Sequence, residues 1–126
     1  MGYLEEKGDS ILSSTTVAFN ANGATTLYTV PVGKTCVLTK AVVIAGADAG
    51  ATTTLSIGQV GALTDFLAAH TLSNLDAAND VVIMTPVSAT TPLKNKAYAA
   101  GIVIQCNVAT QSGGATNTVK LFGVLY

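Results

Sequence analysis

The sequence predicts an all-β fold: an antiparallel β-sandwich of about eight strands. Three observations carry that prediction. Runs rich in Val, Ile and Thr alternate apolar with polar positions. Clusters of Gly, Asn, Asp and Pro separate the runs at short intervals. No helical period lies regularly between the runs, which argues against a parallel sheet built from βαβ units. The chain has 126 residues and is expected to form one domain. A chain of that size can bury roughly two-thirds of its unfolded surface, enough for a true core.

Residues 1–14 show no strand pattern and read as an N-terminal arm, ordered only against something else. Residues 15–126 form the sandwich domain. Ser13 to Phe19 alternates and is expected to be the first strand, with Val17 and Phe19 on one face. Asn20-Ala21-Asn22-Gly23 is a turn, because Asn and Gly tolerate positive φ. Ala24 to Val30 is the second strand. Pro31 and Gly33 form a structural corner: proline offers no amide donor, and glycine relieves the bend. Residues 34–45, KTCVLTKAVVIA, are the longest β-branched run. In Thr52 to Ile57, Thr53, Leu55 and Ile57 face one way, and Thr52, Thr54 and Ser56 the other. One face should be buried and the other wet.

Residues 62–79 admit two readings. Leu63, Leu67 and Thr71 stand at helical spacing in an Ala-rich stretch, which fits one short helix. Short strands or loop fit as well. Val81 to Thr85 is a strand ended by Pro86, and 86–96 is a long loop holding Pro86 and Pro92. Gly101 to Ala109 places Ile102, Ile104, Cys106 and Val108 on one face. Thr118 to Tyr126 is the last strand, with Val119, Leu121 and Leu125 on one side.

Composition narrows the function. Only 10% of residues are charged, although 49% are hydrophobic; an average soluble domain is about 25% charged. So few charges fit a surface largely covered by partners or further copies, the alternative being a thermostable or merely Thr-rich monomer. Net charge is −1, with six Lys and no Arg. Nucleic-acid binding calls for a basic stripe and bidentate Arg, so no nucleic-acid partner is expected. The opening MGYLEEKGDS is too polar for a signal peptide. No run approaches the ~18 apolar residues of a membrane helix, so no membrane partner is expected either. The chain should be made in a cytosol with its cysteines reduced.

Gly33-Lys34-Thr35 matches the end of a phosphate loop. That motif needs a glycine at position 28, where Tyr28 stands, and a helix after the Lys. The chain continues Cys36-Val37-Leu38-Thr39, which favours strand. Cys36 and Cys106 lie among apolar residues and read as core thiols. His70 is the sole histidine, with no acid beside it to orient it as a base. Asp48, Asp65, Asp76 and Asp80 read as turn residues, the alternative being a calcium site built from some of them, although EF-hand spacing is absent. Catalytic residues, metal ligands and cofactors are therefore not expected, and neither is an enzyme.

The stretches TLYTVPVGKTCVLTKAVVIAGADAGATTTLSIG, TDFLAAHTLSNLDAANDVVIMTP and AAGIVIQCNVAT, with the Gly-rich loop and hydrophobic last strand after them, carry a resemblance. Over residues 24–126 the chain resembles tailed-phage capsid decoration (cement) proteins and head-fibre bases. The resemblance implies a jelly-roll sandwich that sits as a homotrimer on the major capsid protein, on the virion exterior. It also implies an arm that clasps capsid subunits, which would here include Tyr3, Leu4, Glu5, Glu6 and Lys7. A trimer would also hide strand edges that otherwise recruit other chains. The alternative is a binding module for carbohydrate or a host receptor. It has little aromatic surface to use: there is no Trp, and of the tyrosines only Tyr98 is expected in an exposed loop.

Overall fold

The computed structural model of the chain describes residues 9–86, 92, 94–114 and 116–126. Tyr3, Leu4, Glu5, Glu6 and Lys7 lie outside the described residues. Among the described residues nine strands follow in order: β1 (Ser10–Ala18), β2 (Gly23–Thr29), β3 (Cys36–Ile44), β4 (Thr54–Gln59), β5 (Ala62–Thr71), β6 (Val81–Met84), β7 (Ala97–Tyr98), β8 (Val103–Ala109) and β9 (Thr116–Leu125). No helix occurs among the described residues. Sheet I has the order β1-β9-β3-β6, with β7 also on β3, and sheet II the order β2-β8-β4-β5. Every pairing is antiparallel.

Alternation sets the core. On β8, Ile104, Cys106 and Val108 point inward and are buried. Val119 and Leu121 of β9 and Leu38, Ala41 and Val43 of β3 meet them from sheet I. Between Leu38 and Lys40 the register of β3 against β9 slips. That bulge keeps both Leu38 and Ala41 inward although three positions separate them. Each fully buried aliphatic side chain contributes about 1.5–3 kcal/mol.

Two expectations need correction, and of the two readings left open for 62–79 the strand holds over 62–71. The arm is shorter than residues 1–14: Ser10 to Ser14 belong to β1 and pair with Gly123 to Lys120 of β9. The pattern hid this because a bulge between Ile11 and Ser13 breaks the alternation. The second face of Thr52 to Ile57 is not fully wet, since Ser56 is buried. Asn107 of β8 flanks it on one side and an irregular stretch of β5 on the other. Residues 62–71 are strand rather than helix. Ladder bonds to β4 decide this, and two register shifts let the adjacent Phe66 and Leu67 both bury.

The Pro31–Gly33 corner carries the chain from sheet II to sheet I. Lys34 N donates to Pro31 O at 3.2 Å, and Gly33 has φ +77°. A Cβ on Gly33 would meet nothing within 4 Å, so only backbone strain opposes substitution. Gly33→Val should therefore destabilise the domain by about 1–3 kcal/mol, measured by chemical denaturation. Thr35 and Tyr126 exchange backbone bonds at 2.8 and 2.9 Å, so Thr35 leads into the sheet and not into a helix. The phosphate-loop reading fails in structure as in sequence.

Candidate interaction face

The two sheets present different outer faces. That of sheet II is polar and small: Thr26 lies beside Gln105, whose Nε2 donates to Thr26 Oγ1 at 3.2 Å, and Asn107 lies beside Ser56. That of sheet I changes across the strands. One cross-strand row reads Thr16, Thr118, Ile44, Val81, and the next reads Ser14, Lys120, Val42, Ile83. In these two rows hydroxyls lie on the β1 side and branched aliphatics on the β6 side, whereas the row through Phe122 places the half-exposed Ile11 on β1. Phe122, Val124 and Val37 extend the apolar part along β9 and β3. In sequence, AVVI of β3 looks uniformly hydrophobic. Only the pleat shows that Val43 is core while Val42 and Ile44 face outward.

The charges on this face are engaged. Lys40 Nζ lies 4.8 Å from the centre of the Phe122 ring and 3.8 Å from Asp9 Oδ2. Thr39 Oγ1 donates to Asp9 Oδ1 at 2.6 Å. Asp9 thus reaches past β9 to β3. Lys120 Nζ donates to Ser14 Oγ at 3.4 Å.

A second feature lies where the edge of sheet II faces that of sheet I. A groove of about 780 Å³ is lined by residues 64–70 of β5, Pro86 and residues 94–97. At its margin Asp65 accepts four hydrogen bonds: from Gln59 N (3.1 Å), Gln59 Nε2 (2.9 Å), Lys96 Nζ (3.0 Å) and Tyr98 Oη (2.8 Å). Burial pushes its carboxyl up. The bonds from Tyr98, Lys96 and Gln59 outweigh that and hold it below the ordinary carboxylate range. The Tyr98 hydroxyl is pushed up by burial first and by Asp65 second. Asp65 was expected in a turn and Tyr98 in an exposed loop. Instead Asp65 is on β5, and Tyr98 is 1% exposed, because β7 pairs with Cys36 and turns the ring inward. Tyr98 thus offers no stacking surface for a sugar. Beside the pair, the Asn95 amide donates to Leu38 O and fills the gap that the short β6 and β7 leave along β3.

The other sequence candidates stay apart. Cys36 and Cys106 are buried and unpaired. Burial pushes both thiols up to about 11, so they are protonated near neutrality. His70 is exposed on the groove wall, with Nδ1 2.5 Å from Ala68 O. Among the described residues, no group of three or more His, Cys, Asp or Glu could hold a metal ion.

No family model and no curated protein matches the sequence. Among solved structures, the chain is similar to one described as "Cyanophage Pam1 capsid asymmetric unit", with a TM-score of 0.53 and 16% identity. The alignment covers 93% of this chain and 86% of that one. At that identity the likeness is one of fold: this chain has the all-β architecture of a chain found in a phage capsid.

Proposed function

We propose that this chain is a structural, non-enzymatic virion protein of a tailed phage. It decorates the capsid exterior as a homotrimer on the major capsid protein and is made in the host cytoplasm. The observation that carries this reading is the apolar half of the outer face of sheet I, a surface suited to burial in an assembly. The capsid structure with the similar fold supports it. So do the strand orders β1-β9-β3-β6 and β2-β8-β4-β5, which fit the two interleaved Greek keys of a jelly roll. Many weak capsid contacts would gain from the avidity of a trimer.

The test is to purify virions of the phage that encodes the chain and to map the protein by immunogold labelling. Label on the head exterior is expected; virions free of the protein would refute the reading. Residues 1–8 are proposed to add capsid contacts through Tyr3, Leu4, Glu5, Glu6 and Lys7. Because β1 begins at Ser10, deleting residues 2–8 should leave the melting temperature unchanged and weaken capsid binding. Equal binding by the truncated protein would remove the arm from the mechanism. The groove favours one alternative, a module that binds a small ligand or glycan, since its volume lies in the range of ligand pockets. A clear glycan-array signal would favour that reading.

A further inference from the structure

We infer that copies of this chain meet one another through the β6 edge of sheet I and the apolar face beside it. The inference deepens the self-association in the virion reading and depends on it only for biological context. Among the described residues five strands stand at sheet edges: β1, β6 and the two-residue β7 in sheet I, β2 and β5 in sheet II. Proteins protect exposed edges with bulges, charges or prolines, because an unprotected edge recruits another chain. β1 carries a register shift between Ile11 and Ser13, β2 one between Thr26 and Tyr28, and β5 carries two. β6 carries none: its four residues, VVIM, pair in unbroken register with Ala41 to Ile44. It also lacks charge. The neighbouring Asp80 turns its carboxylate back to accept from Ala77 N at 3.0 Å. Among the described residues, no strand covers the far side of β6.

The side chains agree with the backbone. Val81 is 56% and Ile83 65% exposed, and Val42 and Ile44 continue the same surface onto β3. A partner here must be uncharged and apolar. The lysines of the face already have partners in Asp9, Phe122 and Ser14, and none lies on β6. A second copy of the chain meets these requirements, because this edge and the surface beside it are themselves uncharged and apolar. The gradient along the rows sets the orientation: aliphatics of β6 and β3 at the centre of the contact, hydroxyls of Ser14 and Thr16 at its rim. That is the usual anatomy of an interface, apolar inside and polar outside.

The test measures mass in solution by light scattering on the full chain at micromolar concentration, for wild type, Ile83→Glu, Val81→Glu and the rim control Thr16→Glu. Wild type should give a multiple of the 12.7 kDa chain mass. Ile83→Glu and Val81→Glu should fall to the single-chain mass with an unchanged circular-dichroism spectrum, because both side chains are already exposed. Thr16→Glu should keep the wild-type mass. A monomeric wild type overturns the inference. So does an oligomer that survives both β6 substitutions in folded protein, or one that Thr16→Glu dissociates equally well. If wild type is monomeric alone yet Ile83→Glu abolishes capsid binding, the edge serves the capsid and self-association is refuted. An oligomer that depends on β6 in a protein absent from virions would refute the virion reading alone.

Discussion

Asp65→Ala is expected to destabilise the domain by about 2–4 kcal/mol in urea denaturation. The carboxylate ties β5 of sheet II to Tyr98 on β7 and to Lys96 beside it, on the sheet I side. It also closes the β4–β5 hairpin through both nitrogens of Gln59. Its side chain is 18% exposed, so water replaces it poorly, and the Tyr98 hydroxyl would lose its acceptor in a dry setting. An unsatisfied buried donor costs about 1–3 kcal/mol. The Lys96 bond adds little, because that side chain is 48% exposed and the ion pair is screened. Tyr98→Phe should cost only about 1 kcal/mol, since Asp65 keeps its other donors. If Tyr98→Phe proves the costlier change, Asp65 is not the centre of the cluster.

The same cluster sets a pH dependence at both ends of the scale. The folded pKa of Asp65 lies below its ordinary value. Its contribution is therefore complete above the unfolded carboxylate pKa of about 3.9 and lost as pH falls through the lower folded value. Tyr98 is shifted the other way. Its contribution is complete below the unfolded tyrosine pKa of about 10 and declines as pH rises beyond it. Asp65→Asn should flatten the acid limb of the stability curve, and Tyr98→Phe the alkaline limb. An acid limb identical to wild type in Asp65→Asn would contradict the assignment.

Gly58→Ala is expected to cost about 3 kcal/mol, at the upper end for overpacking, because backbone must move. A Cβ there would stand 2.1 Å from Ala62 O and 2.7 Å from both Asp65 Oδ1 and the Leu63 carbonyl carbon. β5 folds over Gly58 at this point, where its register shifts between Leu67 and Ala62. Gly61 is the control: it has φ +87° but nothing within 4 Å of a Cβ. Gly61→Ala should cost about 1 kcal/mol from backbone strain alone. If Gly58→Ala is no worse, the close approach is not real. Because Gly58 and Asp65 share contacts, the double variant Gly58→Ala/Asp65→Ala should cost less than the sum of the two.

Local chemistry determined much of this molecule. The alternation from Ile102 to Val108 named the buried face of β8, and Pro31 with Gly33 marked the corner before β3. These features were legible because a strand writes its inside and outside into a period of two, and a turn writes its backbone needs into Gly and Pro. Which strands become neighbours has no such local record. Asp65 and Tyr98 stand 33 residues apart and meet only because β5 and β7 end up across one groove. Helical spacing in 62–71 yielded to ladder bonds with β4, since β propensity follows tertiary context. Nor could the sequence tell that Val42, Ile44, Val81 and Ile83 form one outward surface beside an edge strand without bulge or charge. Each strand specifies its own two faces; only the packing of the two sheets decides which face stays outside and which edge is left open.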